Sequence, residues 1–256
     1  MKRFFIMTRG RTGSTAIIDS LNKSKNIVSA QELFIRLPYK EHKDERYYTS
    51  KPRFDVWSES KGYYFKIFQR FLRQSYIIRK YLEEIEEINA SDEINAFGFK
   101  VLSHHFEERP MLKYILQERD YKAIYLTRNI PRQVISGMVA KQRGKYNAHD
   151  RENYRDDAIY KIDIDEFKSL VAWETQEVAN DISMLDSSAF EFIQVRYEDF
   201  IETPDIFFSN IFSFLDIPEE KLPKSSFSIM IRDPKHVIQN YNEVEQCLSE
   251  MGMTIS

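Results

Sequence analysis

The turn at residues 8 to 15, TRGRTGST, most constrains this chain; it follows the apolar run FFIM and precedes AIIDSL. The 256 residues include only seven glycines, yet Gly10 and Gly13 share this one turn with Arg9, Arg11 and a group of hydroxyl side chains. Residues 3 to 8 read as a buried strand, whereas STAIIDSLNKS puts Ile17, Ile18 and Leu21 on one face of a helix. In an open parallel sheet, ligands collect where strand ends meet helix starts, and a helix start offers unpaired N–H groups and a positive dipole end. Glycine allows close backbone approach, Arg11 adds a fixed charge, and Thr12, Ser14 and Thr15 add donors. The turn therefore suits a phosphate or sulfate. Taken alone, it serves equally well as a helix start capped by Thr12 or Ser14 with its arginines in solvent. It is not a Walker A loop, because Gly13 is followed by Ser14 and not by lysine.

Strand and helix patterns alternate along the rest of the chain. A short strand falls within 26 to 34 and ends near Ala30, and a long helix runs from Tyr63 to Ile88. Strands follow at 96 to 103, 122 to 127 and 190 to 195, with helices at 131 to 142, 162 to 185 and 204 to 215. Strands separated by helices predict an α/β fold: a P-loop-like three-layer sandwich whose central parallel sheet is flanked by helices. One domain spans 1 to 256, with a charged, tyrosine-rich stretch at 36 to 62 expected as a surface excursion, lid or acceptor-binding segment. The aspartates of KIDIDEF at 161 to 167 fall where a helix should begin, where acids favour the dipole.

The net charge of −3 argues against a nucleic-acid coat protein, so any anion site is local. Cys247 is the sole cysteine, which excludes an intrachain disulfide and fits a reducing compartment. The five histidines, at 42, 104, 105, 149 and 236, lack zinc-ligand spacing, so no metal is expected. No segment has the apolar length of a membrane span, and the apolar run at the start meets charge at Arg9 too early for a signal peptide. The expectation is a cytoplasmic protein without stable membrane insertion.

Two further stretches carry chemistry. YLTRNIPRQVIS at 125 to 136 puts Arg128 at a strand end and Ser136 on the following helix, where both can face one anion. VRYEDF at 195 to 200 is another strand end, ahead of an amphipathic helix. With these residues assembled, the chain resembles the sulfotransferases that use 3'-phosphoadenosine 5'-phosphosulfate (PAPS), in particular their carbohydrate-type bacterial branch, the nodulation-factor and trehalose-glycolipid enzymes. That branch has an R-[ST]-G-[ST]-[ST] loop, matched by Arg11 to Thr15, an R-x7-S motif, matched by Arg128 and Ser136, and an R-Y-E-D-[LF] segment, matched by Arg196 to Phe200. QELF at 31 to 34, FGFKVLSHHFEERP at 97 to 110 and IQNYNEV at 238 to 244 extend the likeness.

The resemblance implies transfer of a sulfuryl group from PAPS to a hydroxyl or amine of a small-molecule or glycan acceptor, releasing 3'-phosphoadenosine 5'-phosphate (PAP). It implies that Arg11, Thr12, Gly13, Ser14 and Thr15 cradle the phosphosulfate, Arg128 and Ser136 hold the 3'-phosphate, and Tyr197 packs near the adenine. Glu32 is the implied base and His104 the second choice, while Lys100 and His105 are expected at the acceptor. Arg11 replaces the lysine of the aryl and steroid branch, and no R-K-G segment occurs, which moves the acceptor toward sugars or glycolipids. An atypical P-loop nucleotide kinase and a non-catalytic PAPS-binding regulator remain as alternatives.

Overall fold

The computed structural model describes residues 1–36, 53–61, 70–144, 158–223, 231 and 233–255. Among them, five strands form one sheet: β1 (Lys2–Thr8), β2 (Ile27–Glu32), β3 (Ala96–Leu102), β4 (Lys122–Thr127) and β5 (Phe192–Arg196). Their order is β2-β3-β1-β4-β5, and every neighbouring pair is parallel. Parallel pairing requires crossovers, and the helices that supply them cover both faces. The alternation of β1 shows why: Phe5 and Met7 face one apolar cluster, Phe4 and Ile6 the other, and all four are buried.

The first face packs against α2 (Phe54–Ser60), α3 (Arg70–Asn89) and α5 (Pro110–Glu118), through residues such as Trp57, Tyr81, Ile85 and Leu112. The second face packs against α1 (Ser14–Leu21), α8 (Tyr197–Glu202) and α9 (Pro204–Leu215), with Ile17, Ile18, Phe200, Phe207 and Ile211 inside. A third cluster lies between α6 (Ile130–Arg143), α7 (Ile164–Asp186) and α10 (Tyr241–Glu250). Its polar brace is Asn240, whose side chain accepts from the Ile162 N–H at 3.0 Å and donates to the Ile162 carbonyl at 2.9 Å. The sequence alone supplied no role for that asparagine.

The expected α/β sandwich with its central parallel sheet is what the chain forms. Asp163 caps α7 by accepting from the Glu166 N–H at 2.9 Å, the helix start that the KIDIDEF aspartates implied. Two expectations change. Within the supposed excursion at 36 to 62, residues 54 to 60 form α2, and Phe54 and Trp57 are buried against Phe34 and Tyr81. Arg109 ties α2 down through Asp55 at 2.7 Å. Residues 37 to 52 and residue 62 of that stretch lie outside the described residues, as do 63 to 69 of the expected long helix. The second change is β2, which runs past Ala30 to Glu32 through a bulge: Ala30 pairs with Phe99 and Glu32 with Lys100, leaving Gln31 as the extra residue.

Candidate active site

The carboxyl edge of the sheet gathers the loop after β1, the ends of β2, β3 and β4, and the start of α8. The loop is built by its own hydroxyls. Thr8 Oγ1 donates to the Leu126 carbonyl at 3.0 Å and shares a short hydrogen bond with Thr12 Oγ1, while Thr12 Oγ1 also reaches the Arg9 carbonyl at 3.2 Å. Thr12 is thus used inside the loop and does not cap α1. Gly13 occupies the cap position with φ 83°, and no side chain bonds the first turn. The N–H groups opening α1 therefore carry no side-chain cap from Thr12.

Gly13 is required on two counts. Its backbone lies in the left-handed region, and a Cβ there would run into the ring of Tyr197. Gly13→Ala is expected to cost about 2–4 kcal/mol, from the left-handed conformation plus overpacking. Thermal melting checks this, and a melting temperature equal to that of the parent would show that Tyr197 has another place to go.

Arg11 also has positive φ, 66°, unusual for a residue with a side chain. Its carbonyl accepts from Arg128 Nη1 at 2.9 Å, and its own Nη2 donates to Ser136 Oγ at 3.2 Å. The Arg128 guanidinium lies over the Tyr197 ring, 4.7 Å from the centroid. Five of the expected nucleotide residues, Arg11, Gly13, Arg128, Ser136 and Tyr197, are thereby brought into one constellation drawn from four elements. Burial pulls the Arg128 guanidinium below its ordinary pKa; Tyr197 and Glu198 oppose this and Arg132 adds to it. Its Nε is buried with no hydrogen-bond partner. An orphaned cationic donor beside a helix start without a side-chain cap fits a phosphate-bearing nucleotide.

At the other end of the edge, the β2 bulge brings Glu32 into register with Lys100, and Lys100 Nζ lies 2.7 Å from Glu32 Oε1. A bulge bends its strand locally and re-aims a side chain. Here it exchanges Gln31 for Glu32 opposite Lys100. Since β3 alone separates β2 from β1, Glu32 stands about 10 Å from the loop strand, two strand spacings away. His104 is exposed at the start of α4 (His104–Glu108), directly after β3.

His105 does not reach solvent. Its ring is completely buried, its Nδ1 accepts from the Leu102 N–H at 3.3 Å, and burial, followed by His104, Arg109 and Lys100, pushes its pKa down to about 2. The expectation that His105 touches the acceptor is corrected accordingly: the residue packs the end of β3. The unfolded chain, with an ordinary value near 6.5, binds this proton while the folded chain does not, so stability should fall as pH drops below about 6.5, by up to about 1.4 kcal/mol per unit. Denaturation midpoints of His105→Phe and parent across that window test this, the variant being expected to show the shallower slope.

The sequence reading missed what anchors the loop from behind. Arg9 Nε donates to Glu174 at 2.7 Å, and its Nη1 lies 3.3 Å from Glu177 and 3.5 Å from Asp181. Gln133 joins Glu174, at 2.6 Å, to the Gly10 carbonyl, at 2.8 Å, and Asp181 accepts from Ser103 at 2.6 Å and Tyr125 at 3.1 Å. Burial raises both Glu174 and Asp181 against the pull of Arg9, while these carboxylates outweigh burial and raise Arg9. The available signal was a pair of acids on the core face of α7, among Phe167, Val171 and Leu185, where a carboxylate needs a partner. Trp173, 53% exposed, closes the group with its ring 4.9 Å from the Arg9 guanidinium carbon.

Fold and edge together define an α/β protein of P-loop-like architecture, with a glycine-bearing loop between its first strand and first helix. The model of the sulfotransferase family matches residues 3–221, and the chain belongs to that family. Among solved structures it is similar to the sulfotransferase domain from the curacin biosynthetic pathway, with 16% identity, TM-score 0.50, and coverage of 100% of this chain and 99% of that one. It is also similar to a sulfotransferase from Alicyclobacillus acidocaldarius, with 14% identity, TM-score 0.49, and coverage of 100% and 97%. No curated protein matches the sequence. Among the described residues, no helix is long and apolar enough to cross a membrane.

Proposed function

We propose that the protein transfers a sulfuryl group from PAPS to a hydroxyl of a carbohydrate or glycolipid acceptor. Membership of a family that normally uses PAPS supports the donor. The observation that carries the reading is the convergence of Arg11, Arg128, Ser136 and Tyr197 on the uncapped start of α1. When bound, PAPS supplies an activated sulfuryl group whose passage to the acceptor oxygen leaves charge on a phosphate oxygen. Arg11 and the N–H groups opening α1 stabilise that charge, and no metal is demanded for it. Arg128 and Ser136 hold the 3'-phosphate. Thr12 shapes the loop, while Ser14 and Thr15 present its N–H groups.

Glu32 takes the acceptor proton. Lys100 fixes the Glu32 carboxylate through Oε1, which leaves Oε2 for the proton. His104, exposed one strand nearer the loop, is the competing base. Support for a sugar acceptor comes from the sequence likeness of the QELF, FGFKVLS and IQNYNEV stretches. A cytoplasmic setting suits a chain whose one cysteine is a buried free thiol.

Calorimetric titration with PAP, and with ATP plus magnesium as the competing ligand, tests the donor. Tight PAP binding is expected, and preference for ATP with magnesium would instead favour a kinase. A screen of sugars, glycolipids and phenols with PAPS then tests the acceptor. Turnover confined to phenols would overturn the carbohydrate reading, and PAP binding without turnover of any class would favour a regulator.

A further inference from the structure

Among the described residues, Arg3, Arg9, Arg79, Arg109 and Arg119 are buried or half-buried arginines with carboxylate partners; Arg9, for example, meets Glu174, Glu177 and Asp181, and Arg109 meets Asp55 and Glu108. Arg128 and Arg132 do not follow this rule. Among the described residues no carboxylate lies within ion-pair distance of either, and the Nε of each is buried without a hydrogen-bond partner. They are close enough that Arg132 depresses the pKa of Arg128, and both act on Tyr197. Glu198 also faces Arg128, but its Oε1 accepts from the Asn129 N–H at 2.9 Å and its Oε2 lies 3.7 Å from Arg196 Nη2, so it forms no ion pair with Arg128.

Their position makes the arrangement costlier. Arg132 is in the first turn of α6, at the positive end of the helix dipole, where a cation is unfavourable. Its backbone N–H is already taken by the Asn129 side chain at 3.0 Å, so capping does not explain its guanidinium. Ser136 lies one turn further along the same helix face. Two like charges, desolvated together at a helix start, oppose each other until a multivalent anion arrives to pair with both.

We propose that Arg132 is the second cation of the 3'-phosphate subsite, acting with Arg128 and Ser136 to select a nucleotide that carries a 3'-phosphate over one that lacks it. This rests on the PAPS reading of the site. It assigns donor selectivity to a residue outside the R-x7-S pair.

The test titrates PAP and adenosine 5'-phosphate, which lacks the 3'-phosphate, into the parent protein, Arg132→Met and Arg132→Lys. Arg132→Met is expected to weaken PAP about 10- to 100-fold, as for loss of a charged hydrogen-bonding group, and to change adenosine 5'-phosphate affinity less than about twofold. Arg132→Lys should recover part of the preference. Without ligand, Arg132→Met should melt no lower than the parent, since one of two opposed charges is gone. Equal loss of both ligands, or a lowered ligand-free melting temperature with unchanged discrimination, would give Arg132 a structural role and overturn the inference. Failure of the parent to bind PAP would instead remove the PAPS reading itself, whatever the variants did.

Discussion

Arg128→Ala is expected to weaken PAP binding by about 100-fold or more, the largest loss from any single side chain in the nucleotide constellation. Two effects combine in that number. The guanidinium removed is half-buried with an orphaned Nε, so the phosphate it would meet is left without its charge-assisted bonds, a loss of about 1.5–3 kcal/mol for such a contact. The same guanidinium donates to the Arg11 carbonyl at 2.9 Å and covers the Tyr197 ring. Arg11 sits in the left-handed region, a conformation that persists only where its surroundings hold it. Without Arg128 the loop loses that restraint, and Arg11 no longer arrives prepositioned against Ser136. Calorimetry with PAP reads the combined effect, and melting of the ligand-free variant separates it from unfolding. An affinity within about threefold of the parent would mean that the 3'-phosphate lies elsewhere.

What was legible in the sequence follows from how local each feature is. β1, the loop and α1 were readable because an apolar run, two glycines and an amphipathic helix fall in one short window. Arg128 and Ser136 were readable as a spaced pair on a strand end and the next helix. The bulge that turns Glu32 toward Lys100 was not readable, because an extra residue in one strand shows only against the register of its neighbour. For the same reason the strand was expected to end near Ala30, although QELF drew attention to Glu32 by resemblance. The network around Arg9 was missed because its partners lie at 103, 125, 133, 174, 177 and 181, joined only when β1, β3, β4, α6 and α7 meet. Phe54 and Trp57 are not legible as core residues, because the charged residues around them in the stretch 36 to 62 hide a short core helix. His105 was paired with His104 by adjacency, yet at the start of α4 the two rings meet edge to face, with one exposed and the other inside.

Glu32→Gln is expected to lower kcat by about 10²–10⁴-fold, the usual loss when a positioned base is removed, while leaving PAP affinity within about twofold. The two readouts divide because Glu32 stands on β2, separated from the β1 loop by β3, and makes none of the contacts that build the nucleotide constellation. Glutamine keeps the size of the side chain and a carbonyl oxygen for Lys100 Nζ, so the bulge is expected to persist and the loss to belong to proton transfer. His104→Ala is the control that gives the result its meaning. Both residues occupy the carboxyl edge, both can meet an acceptor from the side away from β4, and either imidazole or carboxylate can serve as a base. A collapse of kcat in Glu32→Gln with at most a severalfold change in His104→Ala assigns the proton to the carboxylate. The reverse pattern assigns it to the histidine and reduces the bulge to a device that pairs Lys100. In that case Lys100→Met should be expected to change stability more than turnover, since removing one member of a partly buried ion pair strands the other.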